Sequence, residues 1–313
     1  MNELIASTRA ALGSVGAFLP LAGIARLPPV DTQRDAVRRL ERAGYRTAWT
    51  NEGVGGRDAL VHAGVLLAAT DRLVLGTSIA SMWARAPEHL HAGAAQLAEA
   101  YPGRFVLGAG VGYAFQAERV GRSYQPARTQ FAQYLARMRA DDLQVHPPDV
   151  QYPVVIAANG PKMLDLARDG ADGAQPTMVP PAFTKMARET LGPDKLLLVG
   201  LAVVVDDDAD AARGVASQIV QGTMGFPGSP YRANLARLGY TDDELDSGAA
   251  RVVADVIGCG GPDDVAAQAQ RHLDAGADHV ILTTITGDFE TRIGVLERVA
   301  PAVTKLTKEE QAA

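Results

Sequence analysis

The apolar positions of the chain follow two patterns that take turns from one end to the other. Short, nearly continuous apolar runs are followed by stretches in which apolar residues recur every three or four positions. The first pattern is typical of buried strands, and the second is typical of amphipathic helices. The predicted strands are residues 15–19, 45–50, a run that starts at 73, 104–110, 152–160, 171–179, 195–205 and 277–286.

Helix signals fill the intervals between these strands. Asp31 and Asp58 stand where N-cap residues are expected, and Gly44 stands where the first of these helices should end. Further helices are predicted around residues 87–97, 126–139, 161–170 and from about 290. Eight strands with intervening helices predict an α/β fold, a (β/α)8 TIM barrel, and we expect a single domain over residues 1–313. The alternative is an open doubly wound sheet, which usually has fewer strands and a clear switch point.

The alternation is interrupted between the seventh and eighth predicted strands. Residues 221–261 are rich in glycine and proline and contain two helix-capping signals, Ser229 before Pro230 and the sequence TDDE at 241–244. We expect an insertion with two short helices at the catalytic end of the barrel. Two roles stay open for it, a lid over the binding site or a packing arm for a partner subunit.

Composition excludes several classes of function. The 313-residue chain is 47% hydrophobic and 21% charged with a net charge of −6, so it lacks the concentrated basic face of a nucleic-acid binder. We expect no membrane span, because every apolar stretch is too short for one. Residues 9–25 loosely mimic a signal peptide but contain glycines and a proline and lack a cluster of positive charge. The single cysteine, Cys259, excludes an internal disulfide and fits a reducing cytoplasm.

The carboxyl ends of the strands, where a barrel has its active site, contain little catalytic machinery. No His or carboxylate cluster has metal-ligand spacing, and His89 and His91 point in different directions from one helix. The glycines of GAGVGY miss the dinucleotide fingerprint, because Tyr113 stands where its last glycine would be. We therefore expect no metal site, and a metal-dependent hydrolase is disfavoured.

Exposed backbone is what these strand ends offer instead. The third strand runs into small residues on both sides of Ile79, at 76–78 and 80–81, which suit a flat ligand lying on the strand end. NGPK at 159–162 places Gly160, Pro161 and Lys162 at a helix N terminus, where N–H groups and the helix dipole favour an anion. By itself NGPK could equally be an ordinary helix start. Together the loops indicate that a bound cofactor supplies the reactivity.

Four stretches of the chain resemble the bacterial luciferase-like superfamily of (β/α)8 barrels, and most closely its branch that uses the deazaflavin coenzyme F420. They are RLVLGTSIASMWARAP, LAEAYPGRFVLGAGVGY, PVVIAANGPKMLDLARDGADG and AGADHVIL. The second stretch contains the most specific part, YPGRFVLGAGVG, whereas the last is weak by itself. The resemblance covers nearly the whole chain and implies the barrel fold and a homodimer.

The resemblance also implies which residues hold the cofactor. Members of the family often have a non-proline cis peptide that supports the ring at the end of the third strand, and the matching bond is Ser78–Ile79. Lys162, with Arg57 or Arg85, would meet the acidic tail of F420, although Arg85 could instead fix its loop to the barrel. The implied cofactor-binding residues are Ser78, Ile79, Ala80, Ser81, Gly110, Val111, Gly112, Asn159, Gly160, Pro161 and Lys162.

One departure from the family limits what the resemblance implies. The best-known sugar-phosphate dehydrogenase of this branch has a catalytic histidine after the second strand and an acid after the fourth, matched here by Gly53 and Tyr113. That substrate class is therefore not carried over. We predict Glu52 and Tyr113 as the proton-handling residues, with local pairing as the alternative for Glu52. The predicted substrate pocket is apolar and consists of Trp83, Phe115, Met178 and Phe226.

These observations predict a cytoplasmic oxidoreductase that transfers a hydride between F420 and a small, apolar organic substrate. An FMN-dependent luciferase-like monooxygenase is the first alternative. A protein that binds a flavin-like ligand without turnover is another, because the acid–base pair of the sugar-phosphate enzyme is missing.

Overall fold

Parallel strands close into a barrel in the computed structural model, which describes residues 2–19, 27–54, 56–140, 151–225 and 228–307. The strands are β1 (Val15–Phe18), β2 (Thr47–Thr50), β3 (Val74–Thr77), β4 (Ala80–Ser81), β5 (Phe105–Gly110), β6 (Val154–Ile156), β7 (Gly173–Ala174), β8 (Leu196–Val205), β9 (Ile257–Gly260) and β10 (His279–Thr284). The sheet runs from β1 through β2, β3, β5, β6, β7 and β8, and β10 pairs with both β8 and β1. This closure confirms the predicted TIM barrel and shows that the open-sheet alternative is wrong.

Helices follow most of the strands and cover the barrel. They are α1 (Glu3–Leu12), α2 (Val30–Arg42), α3 (Ala59–Leu67), α4 (Pro87–Ala100), α5 (Ala114–Arg119), α6 (Ala127–Met138), α7 (Pro161–Gly170), α8 (Pro181–Leu191), α9 (Ala209–Met224), α10 (Pro230–Arg237), α11 (Asp242–Ser247), α12 (Ala250–Val256), α13 (Pro262–Asp274) and α14 (Phe289–Val303). None of the described helices is long and apolar enough to cross a membrane.

Most of the predicted helix ends are confirmed. The Asp58 carboxylate caps α3 by accepting the N–H groups of the first turn, and Gly44 follows α2 with a φ of 101°. The N-cap of α2 is Pro29 rather than Asp31, so the aspartate lies in the first turn, where its charge still suits the helix dipole. α1 was not foreseen in the sequence.

The interior of the barrel is filled by large side chains that face glycines. Trp49 lies across from Gly76, where a Cβ atom would come within 2.0 Å of the indole ring. The indole Nε1 donates to His279 Nε2 at 3.0 Å, and His279 Nδ1 donates to the Gly13 carbonyl at 2.7 Å, so the polar atoms of both rings are satisfied inside the barrel. Ile5 and Leu12 of α1 join the same buried cluster, and the Leu12 carbonyl accepts the Thr47 hydroxyl at 2.6 Å, so α1 covers the end of the barrel where the strands begin.

The segment between β8 and β10 builds a second apolar cluster beside the barrel. Helices α9 to α12 pack there against β8 and β9 through residues such as Met224, Leu235 and Val252. Ser229 caps α10 and a Thr241–Glu244 capping box begins α11, so the two predicted short helices are confirmed. The predicted start of the insertion at 221 lies inside α9.

Candidate functional site

The floor of the candidate site is a one-residue bulge in the third strand of the barrel. β3 pairs Leu75 with Phe105, whereas β4 pairs Ala80 with Ala109, so one extra residue lies between these pairs. The Ser78–Ile79 peptide in the bulge is cis, as predicted. Bulges of this kind are common beside active sites because they re-aim the strand end.

Small residues are required around this bulge. A Cβ atom on Gly110 would lie 2.8 Å from Ile79 Cδ1 and 3.1 Å from Ala157 Cβ. Ser78 N–H donates to the Thr50 carbonyl at 2.6 Å, which ties the bulge to the second strand. The bulge therefore offers a backbone-rich surface at the partly exposed Ser78 and Ile79, whereas Ala80, Ser81 and Gly110 are buried behind it.

Glu52 lies beneath this surface with its carboxylate fully engaged. Its oxygens accept the Ser81 N–H at 2.8 Å and the Ala59 N–H at 3.2 Å, and they form an ion pair with Arg85. Arg85 also pairs with Asp58 at 2.7 Å. Burial lowers the pKa of Arg85, but the two carboxylates outweigh it and the net pKa is raised. This arrangement favours a structural role for Glu52, in which the carboxylate pairs with Arg85 rather than with the neighbouring 53–57 loop.

Arg57 is also occupied locally. Its guanidinium hydrogen-bonds Gln33 and lies 3.3 Å from Nε2 of His62, whose Nδ1 is 2.9 Å from the Thr50 hydroxyl. Arg57 and Arg85 therefore both support the strand ends, which leaves Lys162 of the three predicted tail contacts.

Aromatic side chains fix the loop after β5. Trp83 Nε1 donates to the Val111 carbonyl at 2.5 Å, and the Tyr124 hydroxyl donates to the Gly112 carbonyl at 3.2 Å. Gly112 has a φ of 63°, and this turn leads directly into Tyr113. Trp83 is only 3% exposed, so it offers little surface to a substrate and mainly holds the loop.

Tyr113 stands at the mouth of the barrel between two aromatic neighbours. Its ring stacks on Phe115 with centroids 5.8 Å apart, and its hydroxyl oxygen lies 3.2 Å from that of Tyr231 on α10. Phe115 is 55% exposed and therefore able to contact a ligand. Tyr231 was not among the residues predicted from the sequence, although Pro230 marked the start of its helix.

The N terminus of α7 faces the other side of the mouth. Gly160 is its N-cap and no side chain caps it, while Pro161 and Lys162 are exposed. Asn159 Oδ1 accepts the Thr177 N–H at 2.8 Å, which links the ends of β6 and β7. The predicted cofactor-binding residues of this loop are thus brought together, with Asn159 partly committed to the barrel.

Two arginines that the sequence analysis missed lie near this helix start. Arg237 at the end of α10 places Nη2 3.2 Å from where a Cβ atom of Gly160 would be. Arg128 of α6 donates its Nε to the Lys162 carbonyl at 3.1 Å. Within the described part of the chain, no carboxylate pairs with Arg128, Lys162 or Arg237. Their convergence depends on tertiary packing, so no local sequence pattern could have found it.

Of the predicted pocket residues, Met178 is buried and Phe226 is not among the residues that the structure describes. Met178 is 8% exposed and packs in the second apolar cluster with Leu235. Among the described residues, no group of three or more His, Cys, Asp or Glu side chains could hold a metal ion.

Comparisons with known proteins agree with this architecture. A provisionally named coenzyme F420-dependent oxidoreductase of Mycobacterium tuberculosis is 24% identical over 260 residues, 68% of this chain and 75% of that protein. An F420-dependent secondary alcohol dehydrogenase, solved with an F420–acetone adduct, superposes with a TM-score of 0.71 at 18% identity, over 93% of this chain and 99% of that one. A monooxygenase from Streptomyces bottropensis has a TM-score of 0.66 at 17% identity, over 93% and 98%.

The family model of the luciferase-like monooxygenases matches residues 10–141 and 129–279, which is most of the chain. These matched residues include the bulge, the loop after β5 and the start of α7. The chain therefore belongs to the luciferase-like monooxygenase family.

Proposed function

We propose that this protein is an oxidoreductase that binds F420 at the mouth of the barrel and transfers a hydride between it and a small organic carbonyl or alcohol. The observation that carries the proposal is the uncapped N terminus of α7 with three exposed cations around it, Arg128, Lys162 and Arg237. An anionic group placed there gains both from the helix dipole and from the cations.

The acidic tail of F420 favours this cofactor over FMN. FMN brings a single phosphate to the site, whereas F420 brings a phosphodiester and a chain of glutamates. A protein with a net charge of −6 needs a local basic region to hold such a tail. The names of the bacterial relative and of the alcohol dehydrogenase structure add support from similar proteins.

The bulge and the loop after β5 fit the flat ring of the cofactor. Ser78 is small and partly exposed, Ala80 and Gly110 are small and buried behind it, and Ile79 fills the space against Gly110. A planar ring of this size needs a surface that lets the backbone approach closely. Ser78 and Ile79 are both partly exposed at this surface, so they would support the ring, with Gly112 beside it.

Bound F420 supplies the hydride chemistry, and the protein supplies position and a proton. Reduction of a ketone consumes one hydride and one proton, so a proton donor must stand beside the carbonyl oxygen. Tyr113 is placed for this role at the mouth, whereas the Glu52 carboxylate is engaged by Arg85 and backbone N–H groups. We therefore assign proton transfer to the Tyr113 hydroxyl.

Direct transfer of an isotope tests the proposal. Oxidised F420 is incubated with propan-2-ol deuterated at the carbinol carbon, and reduced F420 with acetone or cyclohex-2-en-1-one. We expect deuterium to appear on the reduced cofactor, or the cofactor to be reoxidised without oxygen. Consumption of oxygen with bound FMN and a reductase, together with no anaerobic turnover of F420, would instead establish the monooxygenase.

A further inference from the structure

Tyr231, on the helix that crosses the mouth of the barrel, is hydrogen-bonded to Tyr113. The two hydroxyl oxygens are 3.2 Å apart. Tyr231 packs beside the second apolar cluster, and both tyrosines are half-buried. Burial, followed by the proximity of Tyr113, raises the pKa of Tyr231, so it remains a neutral O–H donor.

The local structure fixes both partners. Ser229 caps α10 and Pro230 occupies its first position, which places Tyr231 in the first turn. Tyr113 is the N-cap of α5, and its N–H donates to Gln116 Oε1 at 2.9 Å. Both backbones are therefore anchored at helix starts, and the contact between the hydroxyl groups joins two rigid elements.

This contact determines what the Tyr113 hydroxyl can do. A phenol has one proton and can also accept hydrogen bonds. When Tyr231 donates, Tyr113 keeps its own proton for another acceptor at the mouth. When Tyr113 has lost that proton, the Tyr231 O–H stabilises the negative oxygen, as donors do for developing charge in other active sites.

We propose that Tyr231 is a positioning residue for the proton transfer, acting on the Tyr113 hydroxyl from outside the substrate pocket. The inference rests on the proposed function and adds a residue to it. The proton passes from Tyr113 Oη to the substrate oxygen as the hydride reaches the substrate carbon. Water returns a proton to Tyr113 afterwards, and Tyr231 keeps its own throughout.

A double-mutant cycle tests this role. Tyr231→Phe, Tyr113→Phe and the double variant are compared in the F420-dependent reduction of acetone or cyclohex-2-en-1-one. We expect Tyr231→Phe to lower kcat roughly 10- to 100-fold, as for one hydrogen bond to a charged group, with KM within about threefold. In the Tyr113→Phe background the same change should alter kcat less than about twofold, because its target is gone. The solvent isotope effect on kcat should increase in Tyr231→Phe.

A matched control and a measurement without cofactor complete the test. Tyr240→Phe removes a buried hydroxyl of the same segment, which donates to Asp255 Oδ2 at 2.6 Å, and should leave kcat unchanged. In thermal unfolding of the free protein, the double variant should lose less than the sum of the two single losses, each roughly 2 °C.

The outcomes separate the two claims. Failure of the wild type to bind F420, or to transfer a hydride with any of the probes, refutes the proposed function and the role of Tyr231 with it. A wild-type kcat in Tyr231→Phe refutes the role of Tyr231 alone. An equal loss of kcat from Tyr231→Phe in the wild-type and Tyr113→Phe backgrounds also refutes it.

Discussion

Replacing Glu52 with glutamine tests whether this carboxylate holds the site together or moves a proton. The side chain is 2% exposed and Arg85, its partner, is 12% exposed. The amide keeps the shape but removes the charge, and one of its two ends becomes a donor that faces other donors. Removing one member of a buried ion pair costs about 3–5 kcal/mol. Arg85 keeps its pair with Asp58, so we expect the lower end, about 3 kcal/mol.

This cost converts into a measurable shift of the melting temperature. An unfolding entropy of about 2.1 cal/mol/K per residue gives about 0.66 kcal/mol/K for 313 residues, so the expected decrease is about 5 °C. Differential scanning calorimetry measures it, and F420 turnover is measured on the same sample. We expect kcat to fall less than about tenfold, since the proton comes from Tyr113.

Glu88→Gln provides the matched control for this variant. Glu88 forms an ion pair with Arg137 that is roughly 40% exposed, so the same chemical change there should leave the melting temperature unchanged. An unchanged melting temperature for Glu52→Gln with a loss of turnover of roughly 100-fold or more would show that Glu52 moves a proton, because that is the effect expected of a general acid or base.

Three further predictions concern the barrel, the buried histidines and the helix start. Gly76→Ala should lower the free energy of unfolding measured in urea by about 3 kcal/mol or more, because its Cβ would overlap the buried indole. Gly214→Ala in the open middle of α9 should leave that free energy unchanged or raise it. Equal effects of the two changes would contradict the close packing of Gly76 against Trp49. Burial lowers the pKa of three histidines to about 4, so the unfolded chain binds more protons than the folded chain between pH 6.5 and 4. The melting temperature should therefore fall as the pH is lowered through that range. A melting temperature that does not change with pH there would argue against this effect. The histidines are His62, His272 and His279. Lys162→Ala should weaken F420 binding several-fold at low salt and less at high salt. Alanine in place of Lys185, an exposed lysine of α8, should leave F420 binding unchanged. A loss of affinity in Lys162→Ala that does not depend on salt would exclude the contact with the tail.

Local patterns carried most of the fold. Continuous apolar runs predicted the barrel strands, and helix signals predicted the helices between them. Capping residues such as Asp58 and Ser229 predicted where helices begin. α1 escaped because its short amphipathic run merged with the apolar stretch of β1. β9 escaped because IGCG is short and lies in a segment that already looked like an insertion.

The candidate site was harder to predict because its contacts join distant parts of the chain. The backbone-rich strand ends and the start of α7 are local features, so their residues were predicted together. The pairing of Glu52 with Arg85 was not predicted, since Arg85 reaches Glu52 only through the fold of the third barrel strand. Tyr231 and Arg237 come to the mouth because α10 packs across it, which no spacing in the sequence encodes.

Equilibrium titration with purified F420 and with FMN determines which of the two cofactors this barrel prefers. Binding is followed by the fluorescence of each compound at the same protein concentration and ionic strength. We expect F420 to bind with a Kd of about 1 μM or lower, which is about −8 kcal/mol, and FMN to bind more weakly. FMN binding as tight as or tighter than F420 would favour the FMN-dependent monooxygenase, and absence of F420 binding would refute the proposed function.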